Sequence, residues 1–278
     1  MATRRPKTIG YLTELRFAQF DGEVVDRGDC FVVASPANPS ATWGNFLLFD
    51  RAPTLADFDP ASASSWHRRW ERELGMRPGL EKCVLAWDCA DGALGDAVSV
   101  AASGGWEVDE AIVLAGSKLA RPPHPHGAMR IRRNESERDW SESRRVMLAA
   151  HGKRDEDEGH ADGRHDFVDK QFARYRAMQA AGLGAWFGGW IGDAMVGTLG
   201  MFVSDGIGRY QLVATDPAHQ RQGVCATLVH GVGAIALHEM GAKTLVIIGS
   251  AAYHAVRVYE SVGLRRIERL SALIRSAR

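Results

Sequence analysis

The chain has few cysteines, and they are not arranged as metal or redox motifs. Its 278 residues include four of them, none in a Cys-x-x-Cys pair and none at metal-ligand spacing from a histidine: Cys30, Cys83, Cys89 and Cys225. This pattern argues against a disulfide framework and against a structural zinc site. We therefore expect reduced, mostly structural thiols and no bound metal.

The chain also lacks an excess of charge and any long apolar run. Lys plus Arg and Asp plus Glu each total 34, so the formal net charge is +0. A balanced charge gives no general attraction to nucleic acid or to an anionic membrane. No apolar stretch approaches the roughly 20 residues of a transmembrane helix, and no apolar signal core follows the basic residues 1–7. We expect a cytoplasmic protein without nucleic-acid or membrane partners.

Proline and glycine mark one clear boundary. The composition is that of a globular protein, with 45% hydrophobic and 24% charged residues, but the length is large for one domain. Residues 117–127 contain three prolines and a glycine, which favours an extended connection. We therefore predict an N-terminal α+β domain over 1–120, a linker over 121–127 and a second domain over 128–278.

The most informative stretch is residues 213–225. A β-type run, Tyr210–Thr215, leads into a turn over Gln220–Gly223, and a helical pattern then continues from Val224 to about Met240. The first N–H groups of a helix lack intrahelical partners and carry partial positive charge, and a glycine lets the backbone approach a ligand closely. Together these features predict a site for a phosphate group.

The spacing in this turn resembles that of a known family. Gln220-x-x-Gly223-x-Cys225 is similar to the Gln/Arg-x-x-Gly-x-Gly/Ala loop of the GNAT superfamily of acyl-CoA-dependent N-acyltransferases, and Val213-Ala-Thr-Asp-Pro217 resembles the family's fourth strand. Cys225 stands where the family usually has Gly or Ala. The loop by itself is also compatible with an ordinary β–turn–α unit.

A second motif lies further along the chain. Residues 252–264 resemble the family's later pattern Asn-x-x-Ala-x-x-x-Tyr-x-x-x-Gly-Phe, with Ala255, Tyr259 and Gly263 in register. Ala252 and Leu264 replace the usual Asn and Phe. Two motifs in the right order are hard to obtain by chance, and the resemblance covers roughly residues 128–278.

The resemblance implies an α/β (α+β) fold, with a mixed central sheet flanked by helices in the second domain. Periodicity predicts a β–α–α–β–β–β–α–β–α order that agrees with it. The remaining predicted elements are Met129–Arg133, a helix capped by Asn134 or Ser136 and ending near Ala150, a helix over Phe167–Ala181, and strands over Ala185–Gly192, Ala194–Val203 and Lys243–Gly249.

The first 120 residues are less regular. Strands are predicted at Cys30–Ala34, Trp43–Phe49, Cys83–Trp87 and Gly105–Leu114, with a helix over Ser65–Leu74. This order resembles the second half of a GNAT domain, so we expect a smaller, degenerate half or whole copy of the same fold. An unrelated α+β cap is the alternative. Residues 38–45 are expected to form a turn before a core strand, or else a functional loop.

The resemblance implies acetyl-CoA as cosubstrate and no metal. It places the pantetheine arm along Val213, Ala214 and Thr215, and the pyrophosphate at a turn and helix start whose residues are Gln220, Arg221, Gln222, Gly223, Val224, Cys225 and Ala226. Tyr259 falls where the family often has a tyrosine that protonates the departing thiolate; a core aromatic is the alternative. Cys225 could have a lowered pKa at a helix start, but direct transfer needs no cysteine nucleophile.

The implied activity is N-acetyltransfer from acetyl-CoA to a primary amine, by direct attack in a ternary complex. A non-catalytic acyl-CoA-binding or regulatory protein is the alternative. The acceptor would be a small-molecule or peptide amine, and a homodimer is left open. The general base is not identified among His219, Asp216 and Glu260.

Three further features allow both a structural and a functional interpretation. The acidic run Asp155–Glu158 could border a cationic acceptor, but a solvated loop is favoured. His151, His160 and His165 flank the run at irregular spacings, and we expect them to be exposed rather than metal-binding. Trp186 and Trp190 are expected to fill the core rather than line a pocket.

Overall fold

The computed structural model describes residues 4–158, 164–251 and 254–277. By its internal contacts the chain divides into two compact units. Unit 1 comprises residues 1–113, 250–252 and 267–278, and unit 2 comprises residues 114–249 and 253–266. The last residues of the chain therefore group with the first unit, which the sequence pattern does not indicate.

Unit 1 is an α/β structure whose strands are ordered β1-β2-β3-β4-β11-β5. The pairs β1–β2, β2–β3 and β4–β11 are antiparallel and β3–β4 is parallel. Its elements are α1 (Ile9–Asp21), β1 (Glu23–Asp26), β2 (Cys30–Ala34), β3 (Phe46–Phe49), α2 (Trp66–Trp70), β4 (Lys82–Trp87), α3 (Ala97–Gly104), β5 (Glu107–Gly116) and the final strand of the chain, β11 (Arg265–Ser276).

Aromatic side chains fill the core of unit 1. Trp66 and Trp70 lie one helical turn apart and are both buried, as their spacing in the sequence predicts. The Trp66 ring stacks on Phe49 with centroids 3.7 Å apart and planes 4° from parallel. Trp87 is fully buried, and its indole N–H donates to the Ala93 carbonyl at 2.7 Å. These rings occupy the space beside the ends of β3 and β4.

Unit 2 has strands in the order β6-β7-β8-β9-β10. Three neighbouring pairs are antiparallel and β9–β10 is parallel. Its elements are β6 (Arg130–Arg133), α4 (Glu137–Glu158), α5 (Arg164–Ala180), β7 (Gly184–Ile191), β8 (Ala194–Ser204), β9 (Ile207–Thr215), α6 (Val224–Glu239), β10 (Thr244–Ser250) and α7 (Ala255–Ser261). This is the predicted element order.

Several local predictions need correction. Thr42–Gly44 forms a 3-10 turn, so the strand predicted from Trp43 begins only at Phe46. Helix α4 continues to Glu158 rather than ending near Ala150, so the backbone of the acidic run is helical and not a loop. Ser136 caps this helix by accepting from the Asp139 N–H at 3.2 Å.

Residues 121–127, predicted as a linker, group with unit 2. The Ala120 N–H donates to the Val262 carbonyl at 3.0 Å, and Pro122 is buried. Among the described residues, no helix has both the length and the hydropathy of a membrane span.

Candidate active site

Strands β9 and β10 separate after a short parallel ladder. The ladder joins Ile207–Arg209 to Thr244–Val246, which are the first three residues of each strand. Beyond it, the described residues Tyr210–Thr215 and Ile247–Ser250 are not paired with each other. The two strands therefore leave an opening at their carboxyl ends, where open α/β sheets bind ligands.

A bulge in β9 lies beside this opening. Ala214 faces Thr198 on β8 and Gln211 faces Gly200, so Leu212 and Val213 together oppose a single β8 residue. Leu212 has φ of 43°, a left-handed conformation that is unfavourable for leucine. Strained residues and bulges concentrate at functional sites because they redirect a strand. The sequence gives no sign of this bulge, since leucine is not a residue that favours it.

The turn after β9 has the geometry that the sequence predicts. The Asp216 carboxylate accepts from the Ala218 N–H at 3.0 Å and caps a 3-10 turn over Pro217–His219. Arg221 has φ of 58° and Gly223 has φ of 80°. The Thr227 N–H donates to the Gly223 carbonyl at 3.0 Å, so the amides just before it, at residues 224–226, precede the helical hydrogen-bond ladder.

The thiol of Cys225 connects the helix to the strand. It is hydrogen-bonded with the side chain of Thr215, so these two predicted site residues are in contact. Cys225 keeps some exposed surface, yet its thiol is surrounded by protein, and this burial raises the pKa of the thiol to about 12. The pKa is thus raised and not lowered by the helix start. The thiol is protonated near neutral pH, which does not suit a nucleophile.

Arg145 on α4 fixes the end of β9, a role that the sequence does not reveal. Its guanidinium donates to the Asp216 carboxylate and to the Met195 carbonyl, each at 2.7 Å, and to Glu142 at 3.0 Å. Burial raises the pKa of Asp216, but the hydrogen bonds from Arg145 and from the Ala218 N–H, together with the positive charge of Arg145, outweigh it, and the pKa lies below its usual value. Asp216 is therefore a structural anion rather than a ready proton acceptor.

Tyr259 is buried on α7, which packs on α6. A Cβ built on Gly249, near the end of β10, would lie 3.6 Å from the Tyr259 ring. The tyrosine thus lies beside the strand that forms one side of the opening. A Cβ at position 249 would make an ordinary van der Waals contact with the ring, so the two positions are neighbours in space.

The other two candidates for a general base differ in their surroundings. Glu260 accepts from Arg266 at 2.8 Å, an exposed ion pair that points to a surface role. The Nδ1 atom of His219 lies 4.0 Å from the Asp216 carboxylate.

The remaining predicted residues occupy ordinary positions. Gln220, Arg221 and Gln222 are exposed, Ala214 is buried, and Val213 is half-buried. Gln222 donates to the Ala218 carbonyl at 3.1 Å, which tightens the turn.

The tryptophan prediction is confirmed, because Trp186 and Trp190 are both buried. His165 is exposed beside Arg144, as expected. The side chains of Asp155–Glu158, and His160 entirely, lie outside the described residues. Within the described part of the chain, no cluster of three or more His, Cys, Asp or Glu side chains could hold a metal ion.

Residues 138–264, which include the opening, the turn and Tyr259, match the acetyltransferase (GNAT) family. Over these residues the chain is similar to the GNAT family. The match spans the GNAT domain from α4 to the end of the second motif, so the resemblance inferred from the two motifs is confirmed. No curated protein matches the chain.

Solved structures share the fold over nearly the whole chain. A functionally unknown conserved protein from Staphylococcus epidermidis has a TM-score of 0.69 at 10% identity, covering 92% of this chain and 94% of that chain. A GCN5-related N-acetyltransferase from Kribbella flavida has a TM-score of 0.63 at 14% identity, covering 94% and 92%.

A third structure is a tandem GNAT protein from the clavulanic acid biosynthesis pathway. It has a TM-score of 0.50 at 12% identity, covering 84% of this chain and 80% of that chain. At such identities the likeness concerns the fold alone. It extends across both units, so the predicted mixed α/β fold class is confirmed.

Proposed function

We propose that this protein is an N-acetyltransferase that transfers the acetyl group of acetyl-CoA to a primary amine, with the chemistry in unit 2. The observation that supports this most strongly is the opening between β9 and β10, next to a glycine turn that begins α6. A cosubstrate with a long arm and a pyrophosphate needs both features side by side. Similarity to the GNAT family supplies the class of reaction.

The pantetheine arm would lie along Val213, Ala214 and Thr215, where β9 has backbone groups that β10 does not pair. Its amide groups would complete the strand edge as an added strand does. The bulge at Leu212 changes the direction of the edge at the start of this stretch.

The pyrophosphate would lie at the turn and the start of α6, from Gln220 to Ala226. The amides that precede the helical ladder, together with the helix dipole, favour an anion there. Arg221 adds a permanent positive charge that is exposed and so can reach a ligand. Cys225 would contribute its backbone N–H, while its thiol remains hydrogen-bonded to the side chain of Thr215.

The reaction would proceed by direct attack. The amine nitrogen forms a bond to the thioester carbonyl carbon, and a backbone N–H near the end of β9 stabilises the oxygen that becomes negative. The C–S bond then breaks, and Tyr259 donates a proton to the departing thiolate. A phenol with a pKa near 10 is a suitable donor to a thiolate. The amine's own proton passes to a base or to water.

Two measurements on the purified protein test this proposal. Calorimetric titration with CoA and acetyl-CoA measures binding, and release of free thiol over a panel of amines measures turnover. Binding with amine-dependent thiol release is expected, and the panel then defines the acceptor. Binding without release across a broad panel would favour a non-catalytic acyl-CoA-binding protein, and no binding would refute the site.

A further inference from the structure

The proline-rich segment Arg121–Gly127, here called the proline strap, lies directly on the candidate phosphate turn. A Cβ built on Gly223 would lie only 2.0 Å from the carbonyl oxygen of His124. Such a distance is impossible for any residue with a side chain, so the strap and the turn are in backbone contact. Gly223 is thus required by this contact as well as by its positive φ.

The side chain of Thr227 joins the strap to the turn. Its hydroxyl accepts a hydrogen bond from the His126 N–H at 2.9 Å and donates one to the Gly223 carbonyl at 2.8 Å. The same carbonyl accepts from the Thr227 N–H at 3.0 Å. One hydroxyl therefore fixes the last residue of the turn to the neighbouring segment.

The strap is held within unit 2 at its start and is closed by a turn at its end. Before it, the Ala120 N–H donates to the Val262 carbonyl at 3.0 Å. After it, the Met129 N–H donates to the His126 carbonyl at 3.1 Å. Prolines 122, 123 and 125 restrict the backbone between these points. The segment is therefore a braced part of the unit and not a loose connection.

The turn that it touches needs external support. Arg221 adopts a left-handed conformation that arginine disfavours, and such a conformation persists only where surrounding structure imposes it. Hydrogen bonds from amides to an anion depend on the amides being held in place before the anion arrives.

We propose that the proline strap is a supporting wall of the acyl-CoA phosphate site and that Thr227 is its positioning residue. This rests on the proposed function, because it assumes that the turn binds the pyrophosphate. Thr227 acts through the turn: it sets where the amides of residues 223–226 point, and the phosphates then bind to those amides.

The test compares two acetyl thioesters, acetyl-CoA and S-acetylpantetheine, which lacks the pyrophosphate. Thr227→Val keeps the shape of the side chain but removes the hydroxyl, and Thr227→Ser restores it. We expect Thr227→Val to raise the Kd of CoA and the KM of acetyl-CoA about tenfold, mainly without a change in kcat. The kcat/KM for S-acetylpantetheine should stay unchanged, and the serine variant should bind CoA as the wild type does.

A second variant addresses the strap without touching the helix. Pro123→Gly with Pro125→Gly, both at exposed positions, should loosen the strap and raise the Kd of CoA about threefold. This double variant tests the supporting role of the strap even if Thr227→Val does not fold. Thermal unfolding measured alongside reports whether each variant is folded.

The outcomes separate the two proposals. If the wild type binds CoA and Thr227→Val binds it with the same Kd, the proposed role of the strap is overturned and the proposed function stands. Equal losses for acetyl-CoA and S-acetylpantetheine would also overturn it, because they would indicate general damage. Wild type that fails to bind CoA would overturn the proposed function and the role of the strap together.

Discussion

Each unit contains two parallel strands joined through a helix, and the two pairs end differently. In unit 1, the ladder between β3 and β4 joins Leu47–Phe49 to Leu85–Trp87, the last three residues of each strand. The Asp88 N–H extends it by donating to the Phe49 carbonyl at 2.8 Å. In unit 2, the ladder between β9 and β10 covers only the first three residues of each strand. One pair is closed at its carboxyl end and the other is open.

Side-chain volume accounts for much of this difference. The closed pair is packed by the stacked Phe49 and Trp66 rings and by Trp87, all buried. A cavity at this end, bordered by Asp50 and Asp88, holds about 100 Å³, whereas ligand pockets usually need roughly 300 Å³ or more. The open pair has instead a bulge at Leu212 and a glycine turn. The same strand–helix–strand arrangement thus forms a core in one unit and a candidate site in the other.

The largest effect should come from removing a buried ring at the closed carboxyl end of the β3–β4 pair. Trp66→Ala removes a buried indole that stacks on Phe49, and we expect it to lower the free energy of unfolding by about 3–5 kcal/mol. Urea denaturation measures this loss, and the half-buried Trp43→Ala is the control with a smaller expected effect. The affinity of the folded variant for CoA should not change. A clear change in that affinity would mean that the closed pair takes part in binding.

The next largest effect should come from adding a side chain to the glycine turn beside the open carboxyl end of the β9–β10 pair. Gly223→Glu places a side chain against the His124 carbonyl and a negative charge beside the phosphates, so CoA affinity measured by calorimetry should fall at least about 100-fold. Gly223→Ala separates the two causes, because it brings the steric clash without the charge.

Gly105→Ala is the matched control for this change. Gly105 in unit 1 also has positive φ, at 66°, but a Cβ there meets nothing within 4 Å. Its substitution should strain the backbone without affecting CoA binding. Unchanged CoA affinity in Gly223→Glu would refute the assignment of the turn.

Turnover at the open carboxyl end of the β9–β10 pair should depend on the hydroxyl group of Tyr259. Tyr259→Phe keeps the buried ring beside Gly249 but removes the proposed acid, so kcat should fall about 100-fold while the Kd of CoA stays the same. Tyr210→Phe is the control: its hydroxyl donates to the Val229 carbonyl at 2.8 Å, so its loss should reduce stability and leave kcat unchanged. Equal turnover in wild type and Tyr259→Phe would remove Tyr259 from the mechanism.

Local patterns predicted the open end better than the closed one. The strand, turn and helix around Gly223 were predictable because glycine, a helix start and apolar periodicity each have a local cause. Trp66 and Trp70 were predictable for the same reason. Helix α1, with a weak apolar pattern, was not predicted, and neither was the final strand, which lies between β4 and β5.

The features that could not be predicted from the sequence depend on contacts between residues that are distant in the chain. The bulge at Leu212 arises from pairing with β8, and Arg145 reaches Asp216 from a helix 71 positions away. The strap touches Gly223 although about a hundred residues separate them, so its prolines suggested only a linker. Pairings of this kind follow from the tertiary fold and leave no periodic trace in the sequence.

The smallest effect concerns a buried carboxylate that unit 2 uses for structure. Asp139 accepts from the Glu135 and Ser136 N–H groups at 3.0 Å each, and it pairs with Arg132 at 2.8 Å. Burial alone would raise the pKa of Asp139, but these hydrogen bonds outweigh it and lower the pKa to about 2.

A folded-state pKa below the unfolded value of about 3.9 means that the ionised form stabilises the protein above pH 4. That contribution, about 2 kcal/mol, should be lost as the pH falls from about 4 to 2. Asp139→Asn should be less stable at neutral pH and should lose less stability over this interval than the wild type in urea denaturation. Asp193→Asn, at an exposed turn, is the control and should follow the wild-type pH dependence. Identical curves for wild type and Asp139→Asn would show that this carboxylate is not what makes unit 2 sensitive to acid.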